Sequence, residues 1–509
     1  MTRERVVQVA AVEGTAPRSY GNWRKPRSAG LFRLGKVGTM IMMAGIVLSI
    51  MVMMAGRLVL ALGILAAVGV LMMMVVFRDQ HDLSTLDRLS ERIGWRATKA
   101  KGAHLYRSGP LGFARWGTHQ LPGIAASLRV SEHRDSYGRP FVLVHSPTVG
   151  TCTVVVATEP EGSYLVDQDR IDRLVADWGN WLANLSSEPG LEACSVTVET
   201  APDTGHRLRR EVAAASDPNA STFSQTMLNE IVRKYPSGSS TITAYVTLTF
   251  RTKNEVTGKK RTAEQMGRDL AARLPGLTAD LAATGAGSAT PIAAQELCEV
   301  VRTAYDPLAA VTFQDARAEG EEIELHWSEV GPVAAEAEWD GYHHDAAYSV
   351  TYAMSMAPRA QVQSNVLRRL LAPHDDIARK RVTLLYRPID PARAAAIVES
   401  DVAAARFNQS SSKKGIYRNS AATAAAHASA LEEAQGASLV NFAMLVTATV
   451  VDPEARPQAR AAIDNLGASS KLLLRPVYGG QSSAFAAALP LGIVLPKHLS
   501  AASSIRRSL

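Results

Sequence analysis

The chain holds 509 residues, 47% of them apolar and 20% charged, a balance that excludes a disordered or collagen-like polymer and allows several buried cores. The formal charge is +7, yet residues 1–36 carry eight Lys/Arg against Glu4 and Glu13, which leaves only about +1 for the other 473 positions. A nucleic-acid module spreads Lys/Arg over a folded face, so direct nucleic-acid binding by the body is not expected. Cys152, Cys194 and Cys298 lie more than 40 residues apart, which excludes a disulfide scaffold and a zinc knuckle.

In chain order, a basic arm (1–36) comes first. Val37 to Gly56 is a run of 20 residues without a charge, Arg57 follows, and Leu58 to Phe77 is a second such run. At 1.5 Å per residue each spans a bilayer, so a two-helix transmembrane hairpin is expected over 37–77. Neither run has a polar stripe, and nine of the fifteen Met residues sit between Met40 and Met74, which disfavours a pair of soluble core helices. The long arm and the immediate second run disfavour a cleaved signal peptide. Lys/Arg number eight in the arm and seven over Arg78 to Arg107, so both termini are expected in the cytoplasm. Gly45/Ser49 and Gly63/Ala67 offer small residues four apart for close helix approach. With no Asp, Glu, His or Lys inside either run, an anchor is expected rather than a transporter.

A juxtamembrane helical segment (78–116) follows, with Leu83, Leu86, Leu89 and Ile93 spaced along one helix face. The spacing then predicts an α+β cytoplasmic body. In a first domain (117–310), strands are expected at Phe141–His145, Thr153–Thr158, Ala193–Glu199 and Ile242–Arg251. Helices are expected at Asp167–Leu185, Ser221–Tyr235, Thr262–Leu274 and 291–305, the third opening as a capping box. In a second domain (321–509), strands are expected at Tyr348–Met356, Arg381–Tyr386, Leu439–Val451 and Leu472–Pro476. Pro391 to Ala434 reads as a long helical hairpin with Lys413-Lys414-Gly415 at its tip, and another helix starts at Pro453.

Residues that could carry chemistry are few. Gly258-Lys259-Lys260-Arg261-Thr262 lacks the first glycine of a phosphate loop and reads as an exposed turn. His343-His344-Asp345 reads as a polar loop, because adjacent strand residues point to opposite faces and two such histidines do not converge on one metal. No Gly-x-Ser-x-Gly elbow is present, and the cysteines sit in apolar surroundings as inert thiols. Trp178 and Trp181 belong to a helix core, and Arg134 to Pro140 to a hairpin turn. No catalytic, cofactor-binding or metal-binding residue is assigned, no cofactor is expected, and the chain does not read as an enzyme.

Tyr20-Gly21-Asn22-Trp23-Arg24-Lys25-Pro26-Arg27, the membrane hairpin, His104-Leu105-Tyr106-Arg107-Ser108-Gly109-Pro110, Asp135-Ser136-Tyr137-Gly138-Arg139-Pro140 and Val198 to Gly205 resemble a family of integral membrane proteins. That family is encoded with conjugation-type secretion genes in high-GC Gram-positive bacteria. Gly480-Gln481-Ser482-Ser483-Ala484-Phe485 and Ala488-Leu489-Pro490-Leu491-Gly492 look like the stretch preceding the motor domain in the conjugation ATPases of type IV secretion. The resemblance implies a PrgI-type membrane hairpin joined to the N-terminal domain of such an ATPase, but the chain stops at Leu509, where a motor domain would begin. A second likeness, in layout, is to EccE of the type VII secretion membrane complex.

The function these resemblances imply is a non-enzymatic inner-membrane scaffold of a conjugation-like (type IV) translocation complex. The alternatives are an EccE-like component of a type VII complex and a membrane-tethered enzyme of unknown substrate. The implied partners are the lipid bilayer, a secretion ATPase and other membrane subunits, in an oligomeric assembly. Phe485, Leu489 and Leu491, apolar on several sides of a helix-to-loop stretch, are expected to form a partner surface, the competing reading being that they cover the sheet near Leu472–Pro476.

Overall fold

The computed structural model describes residues 18–21, 23 and 35–498, apart from 110–111, 113–117, 161, 163–165, 203–211, 218, 235–239, 255–256, 322, 359 and 412–415. Most of the basic arm, most of the string 20–27 and the tip Lys413-Lys414-Gly415 lie outside the described residues. Two apolar helices come first, α1 (Gly35–Met54) and α2 (Leu58–Val76). They pack on each other at Gly45, where a Cβ would overlap Val68, and at Ser49, whose hydroxyl donates to the Ala61 carbonyl at 3.0 Å. A Cβ at Gly63 would meet nothing, so that glycine does not serve the contact. Among the described residues one helix, Leu58–Val76, is long and apolar enough to cross a bilayer by length and composition, and the apolar stretch Met42–Met54 is shorter. The expected pair of full spans thus becomes one span-length helix with a shorter apolar partner.

The chain then forms α3 (Thr85–Ala100), opened by a reciprocal capping box between Ser84 and Asp87, and a short β1 (Leu105–Arg107). A first series follows: β2 (Arg129–Arg134), β3 (Pro140–Ser146), β4 (Thr151–Thr158), α4 (Gln168–Leu185), β5 (Leu191–Pro202), α5 (Thr222–Lys234), β6 (Ser240–Arg251), α6 (Ala263–Leu281), β7 (Ala289–Pro291) and α7 (Ala294–Tyr305). After α8 (Ala309–Glu319) comes a second: β8 (Ala334–Ala337), β9 (Tyr342–His344), β10 (Ala347–Met356), α9 (Arg368–Leu371), β11 (Arg379–Pro388), α10 (Pro391–Ser411), α11 (Ile416–Ala434), β12 (Val440–Val450), α12 (Arg456–Ser469), β13 (Leu473–Pro476) and α13 (Gln481–Ala487). Local chemistry sets many of these boundaries. The Asp135 carboxylate accepts the Tyr137 and Arg139 amides at 2.9 Å each and closes the β2–β3 hairpin, where Gly138 takes φ +79°. Thr262 and Gln265 form the capping box expected at the start of α6.

All strands join one antiparallel sheet of order β1-β8-β9-β10-β12-β11-β5-β6-β4-β3-β2, with β13 on β10 and β7 on β4. From the β5/β11 contact outward the two directions read alike: β5-β6-β4-β3-β2 on one side and β11-β12-β10-β9-β8 on the other. Each half contains a strand–helix–strand–strand–helix–strand unit, β4 to β7 and β10 to β13, with α5 in one and α10 and α11 in the other inserted between the second and third strands, and with order β7-β4-β6-β5 and β13-β10-β12-β11. This is the split βαβ arrangement of ferredoxin-like folds, present twice and joined edge to edge by antiparallel β5 and β11. The second half carries an addition that the first lacks: β1, arriving from α3, pairs with β8.

Alternation along the strands divides the core into layers. Phe141, Leu143, Val154, Val156 and Leu248 face α4 and α6, and Val350, Val382, Met444 and Val446 face α9 and α12. On the opposite face Val142, Val144, Val155, Tyr245 and Leu445 meet α7, α13 and the segment up to Ile493. Between these apolar patches lies a stripe of buried hydroxyls, paired as Thr153–Thr249 (3.0 Å), Ser195–Thr247 (2.6 Å), Thr197–Thr383 (3.3 Å), Thr351–Thr447 (3.0 Å) and Ser349–Thr449 (2.7 Å).

Residues 480–494 form a strap across this stripe. Thr383 donates to the Ala488 carbonyl at 2.7 Å and Thr249 to Gly492 at 3.3 Å. The Gln481 amide pairs with both backbone groups of Thr351, at 2.8 and 3.1 Å, where β10 has left β9 and not yet met β13. Gly492 takes φ +64°, and a Cβ there would overlap Thr153 and Thr249. Gly492→Val should therefore lower the urea midpoint of the chain by the equivalent of about 1–3 kcal/mol or more. Gly276→Ala, in α6 with open space at its Cβ, should leave the midpoint unchanged or raise it slightly.

Candidate functional site

The expected partner surface is not a surface. Phe485 is 0% exposed and Leu489 and Leu491 are 1% exposed. Phe485 packs against the rings of Tyr305 (5.0 Å between centroids), Tyr342 (5.4 Å) and His344 (4.8 Å). The Arg381 guanidinium lies 5.6 Å from the centre of its ring. The apolar residues on several sides of the stretch have a simple cause: the strap packs in one core with α7 and with the sheet, β8 and β9 included, so more than one side of it is buried.

The His343-His344-Asp345 loop expected from sequence is also corrected. Tyr342–His344 is strand β9, and His344 is fully buried. Its Nδ1 donates to the Tyr305 carbonyl at 2.5 Å, which leaves Nε2 to accept from Ser349 at 2.8 Å. Burial pushes the imidazole down to about 4, with Arg381 acting in the same sense against the opposing hydrogen bond, so the ring is a neutral bridge inside the core. Asp345 makes the tight turn to β10 at φ +47° and accepts the Val333 amide at 2.7 Å.

Beside this cluster, Glu199 on β5 faces Arg381 on β11, and Arg379 also reaches it. Burial opposes ionisation of Glu199, but Arg381 and Arg379 outweigh it and hold the carboxyl at about 2. These charges satisfy one another across the seam. The three cysteines are buried and free, and burial raises the Cys152 and Cys298 thiols to about 12 and Cys194 further, which makes them poor nucleophiles. Trp178 and Trp181 stack at 4.8 Å in the core of the first half. Among the described residues no group of His, Cys, Asp and Glu is placed to hold a metal ion.

The open site is a cleft of about 560 Å³ where α3 meets the second half of the sheet. It is built from the turn that follows α2. Asp79 accepts the His81 and Leu83 amides at 2.8 and 3.0 Å, Ser84 caps α3, and the inner face of α3 reaches the sheet through Glu91, which takes a two-pronged contact from Arg475 at 2.7 and 3.2 Å. Trp95 meets Trp339 (6.2 Å), Trp339 stacks on Tyr478 (5.4 Å), and Arg475 lies 4.9 Å from the Tyr478 ring. Gly479, at φ +68°, lets the chain pass tightly between Trp339 and Trp95.

One serine–histidine pair lines this junction. The Ser355 hydroxyl donates to the Leu473 carbonyl at 2.9 Å, so its contact with His81 Nδ1 at 3.1 Å uses the ring as donor. The serine is therefore not activated by a base, and burial, aided by Arg475 and Arg88, depresses the His81 pKa. The geometry suits docking: a wall of stacked aromatics and charges of both signs that fix α3 on the sheet. Sequence reasoning missed it because its members come from residues 79–95, 339 and 475–479.

Two outcomes are expected from the buried cluster. The folded imidazole of His344 titrates well below its ordinary value, so its share of stability is present above about pH 6.5 and is lost as pH falls towards about 4, on the order of 3 kcal/mol. Urea midpoints measured across that window should fall in the parent chain and flatten in His344→Gln. Phe485→Ala should cost about 3–5 kcal/mol in the same measurement at neutral pH.

Comparison with known families places residues 27–87, which cover the end of the basic arm, α1, α2 and the first turn of α3, in a match to a family described as Domain of unknown function (DUF8461). No curated protein matches the chain.

Proposed function

We propose that the chain is a non-enzymatic inner-membrane scaffold subunit of a conjugation-like, type IV translocation complex, working beside a secretion ATPase and other membrane subunits. The observation that carries this reading is the clamp between α3 and the sheet. A helix whose apolar residues stay exposed outside its contact with α1, with Val59 at 83% and Leu62 at 58%, has no place in a soluble surface and fits lipid. It leads within a few residues into α3, which Glu91–Arg475, Trp95–Trp339 and the β1–β8 pairing hold on the sheet. Anchor and sheet are thereby one body, as a scaffold requires.

In this reading α1, 20 residues long and so about 30 Å, crosses beside α2, and both flanks lie in the cytoplasm where the Lys/Arg excess is. The helical hairpin of α10 and α11 is a further feature suited to assembly. Arg406 reaches His427 at 3.3 Å and Thr423 the Ala405 carbonyl at 3.4 Å, so the two helices pack on each other, while Phe407 and Leu431 stay 70% and 61% exposed. The resemblance of the strings named above to a conjugation-associated membrane family and to ATPase N-terminal regions supplies the choice of apparatus.

Purification of the chain from detergent-solubilised native membranes, followed by mass spectrometry, should recover a secretion ATPase and further membrane subunits in near-constant ratio. Recovery of the chain alone, with a hydrolytic activity abolished by one Ser or His substitution, would favour the tethered-enzyme reading instead. A reporter active only in the cytoplasm should function when placed before Thr39 or after Arg107 and fail beside Arg57; activity at Arg57 would reject the two-span arrangement.

A further inference from the structure

The leucine and isoleucine spacing puts Leu86, Leu89 and Ile93 along one face of α3, and the structure sets a different face on the sheet. Glu91 and Trp95, four residues apart, lie at partly buried positions against it. Leu89 and Ile93, four residues apart, are 45% and 58% exposed on the opposite side. Arg92, Arg96 and Lys99, all exposed, run along the flank between that side and the sheet-facing one, where Arg88 and Arg92 border the cleft. Among the described residues no carboxylate pairs with Arg92, Arg96 or Lys99, whereas Arg88 turns back to Asp79. A pair of large apolar residues flanked by basic ones, on a helix face left exposed among the described residues, is the pattern of a helix that lies in a lipid headgroup layer.

We infer that the outward face of α3 rests on the anionic surface of the membrane that α2 enters, with Leu89 and Ile93 dipping into the headgroup region and Arg92, Arg96 and Lys99 binding lipid phosphates. The inference rests on the reading of α2 as a membrane anchor. Position selects lipid over a protein as occupant. The Thr85 hydroxyl donates to the Met74 carbonyl at 2.7 Å, so the first residue of α3 is tied to the last turn of α2, and Phe77 between them is 63% exposed. The basic face therefore begins at the depth where the apolar helix ends. Long basic side chains there keep their heads in the phosphate layer while their stems cover apolar surface.

The test uses the full chain in lipid nanodiscs, with an environment-sensitive fluorophore on Leu89→Cys or Ile93→Cys and, as a reference, on Leu65→Cys within α2. The native thiols are buried and leave the new cysteine as the reactive one. Spin-labelled lipids serve as quenchers. In discs containing phosphatidylglycerol the labels at 89 and 93 should be quenched by headgroup-level spin labels, and in pure phosphatidylcholine much less. Arg92→Gln, Arg96→Gln and Lys99→Gln should each lower the ratio of lipid-contacting to water-exposed label about fivefold, and added salt should act in the same direction. If the label at 65 is quenched while those at 89 and 93 stay in water in both lipids, the inference fails and the anchor stands. If 89 and 93 are shielded from water but unquenched, a protein covers the face and the lipid assignment is rejected. If the label at 65 is not quenched at all, the anchor reading itself falls.

Discussion

The structure depends on the pairing of two edge strands, β5 and β11, that would otherwise each end a four-stranded unit. Edge strands carry unpaired backbone groups and invite association; here two such edges satisfy one another over seven residue pairs. The pairing brings hydroxyl-bearing positions of both halves into one stripe and places Glu199 opposite Arg381. A buried polar group left without a partner is costly. The hydroxyls pair across strands, Glu199 pairs with Arg379 and Arg381 across the seam with only the Arg381 Nη1 left over there, and the strap meets Thr249, Thr383 and the Thr351 backbone. The strap is thus a requirement of the seam: without it Thr249, Thr383 and the Thr351 backbone would each lose a partner.

The same constraint explains the distribution of bulk. The two ferredoxin-like units put α4, α6, α9 and α12 on one face, which is the common solution for a four-stranded unit. The other face of each unit is normally free. Here it is covered by α7 and the strap, with Phe485 as the ring on which Tyr305, Tyr342 and His344 converge. A single aromatic of the strap therefore links elements that belong to both halves of the sheet.

Much of the secondary structure was legible in the sequence. Strands expected over 141–145, 242–251 and 348–356 run over 140–146, 240–251 and 347–356, because long runs of β-branched residues bounded by turn formers carry a strong local signal. Helices with capping boxes or wide apolar faces were equally clear, α6 and α4 among them. The short strands β1, β7, β8 and β9 were not, since three or four residues cannot show a period of two. Neither the single continuous sheet nor its duplication could be read, because the decisive contact joins residues 194–200 to 380–386 and has no local trace. Burial was misjudged for a related reason. Phe485 was expected at a surface because a strap enclosed on two sides lacks a simple stripe, and the apolar spacing of α3 could not say which side of that helix meets the sheet.

The clamp on α3 has a consequence for the order in which the molecule is made. Glu91 and Arg475 are 384 positions apart, and Trp339, β8 and β13 all follow the complete first half. During synthesis the first half can therefore close its core under α4 and α6 while still hanging on a loose tether from the apolar helices. The tether stiffens only when β13 and the strap have emerged and the longest loop in the chain is closed, the slowest kind of contact for a folding chain to find. A ribosome that stops early leaves the first half swivelling on the apolar helices. A rigid link between those helices and the sheet is thus a mark of a chain translated at least through residue 478.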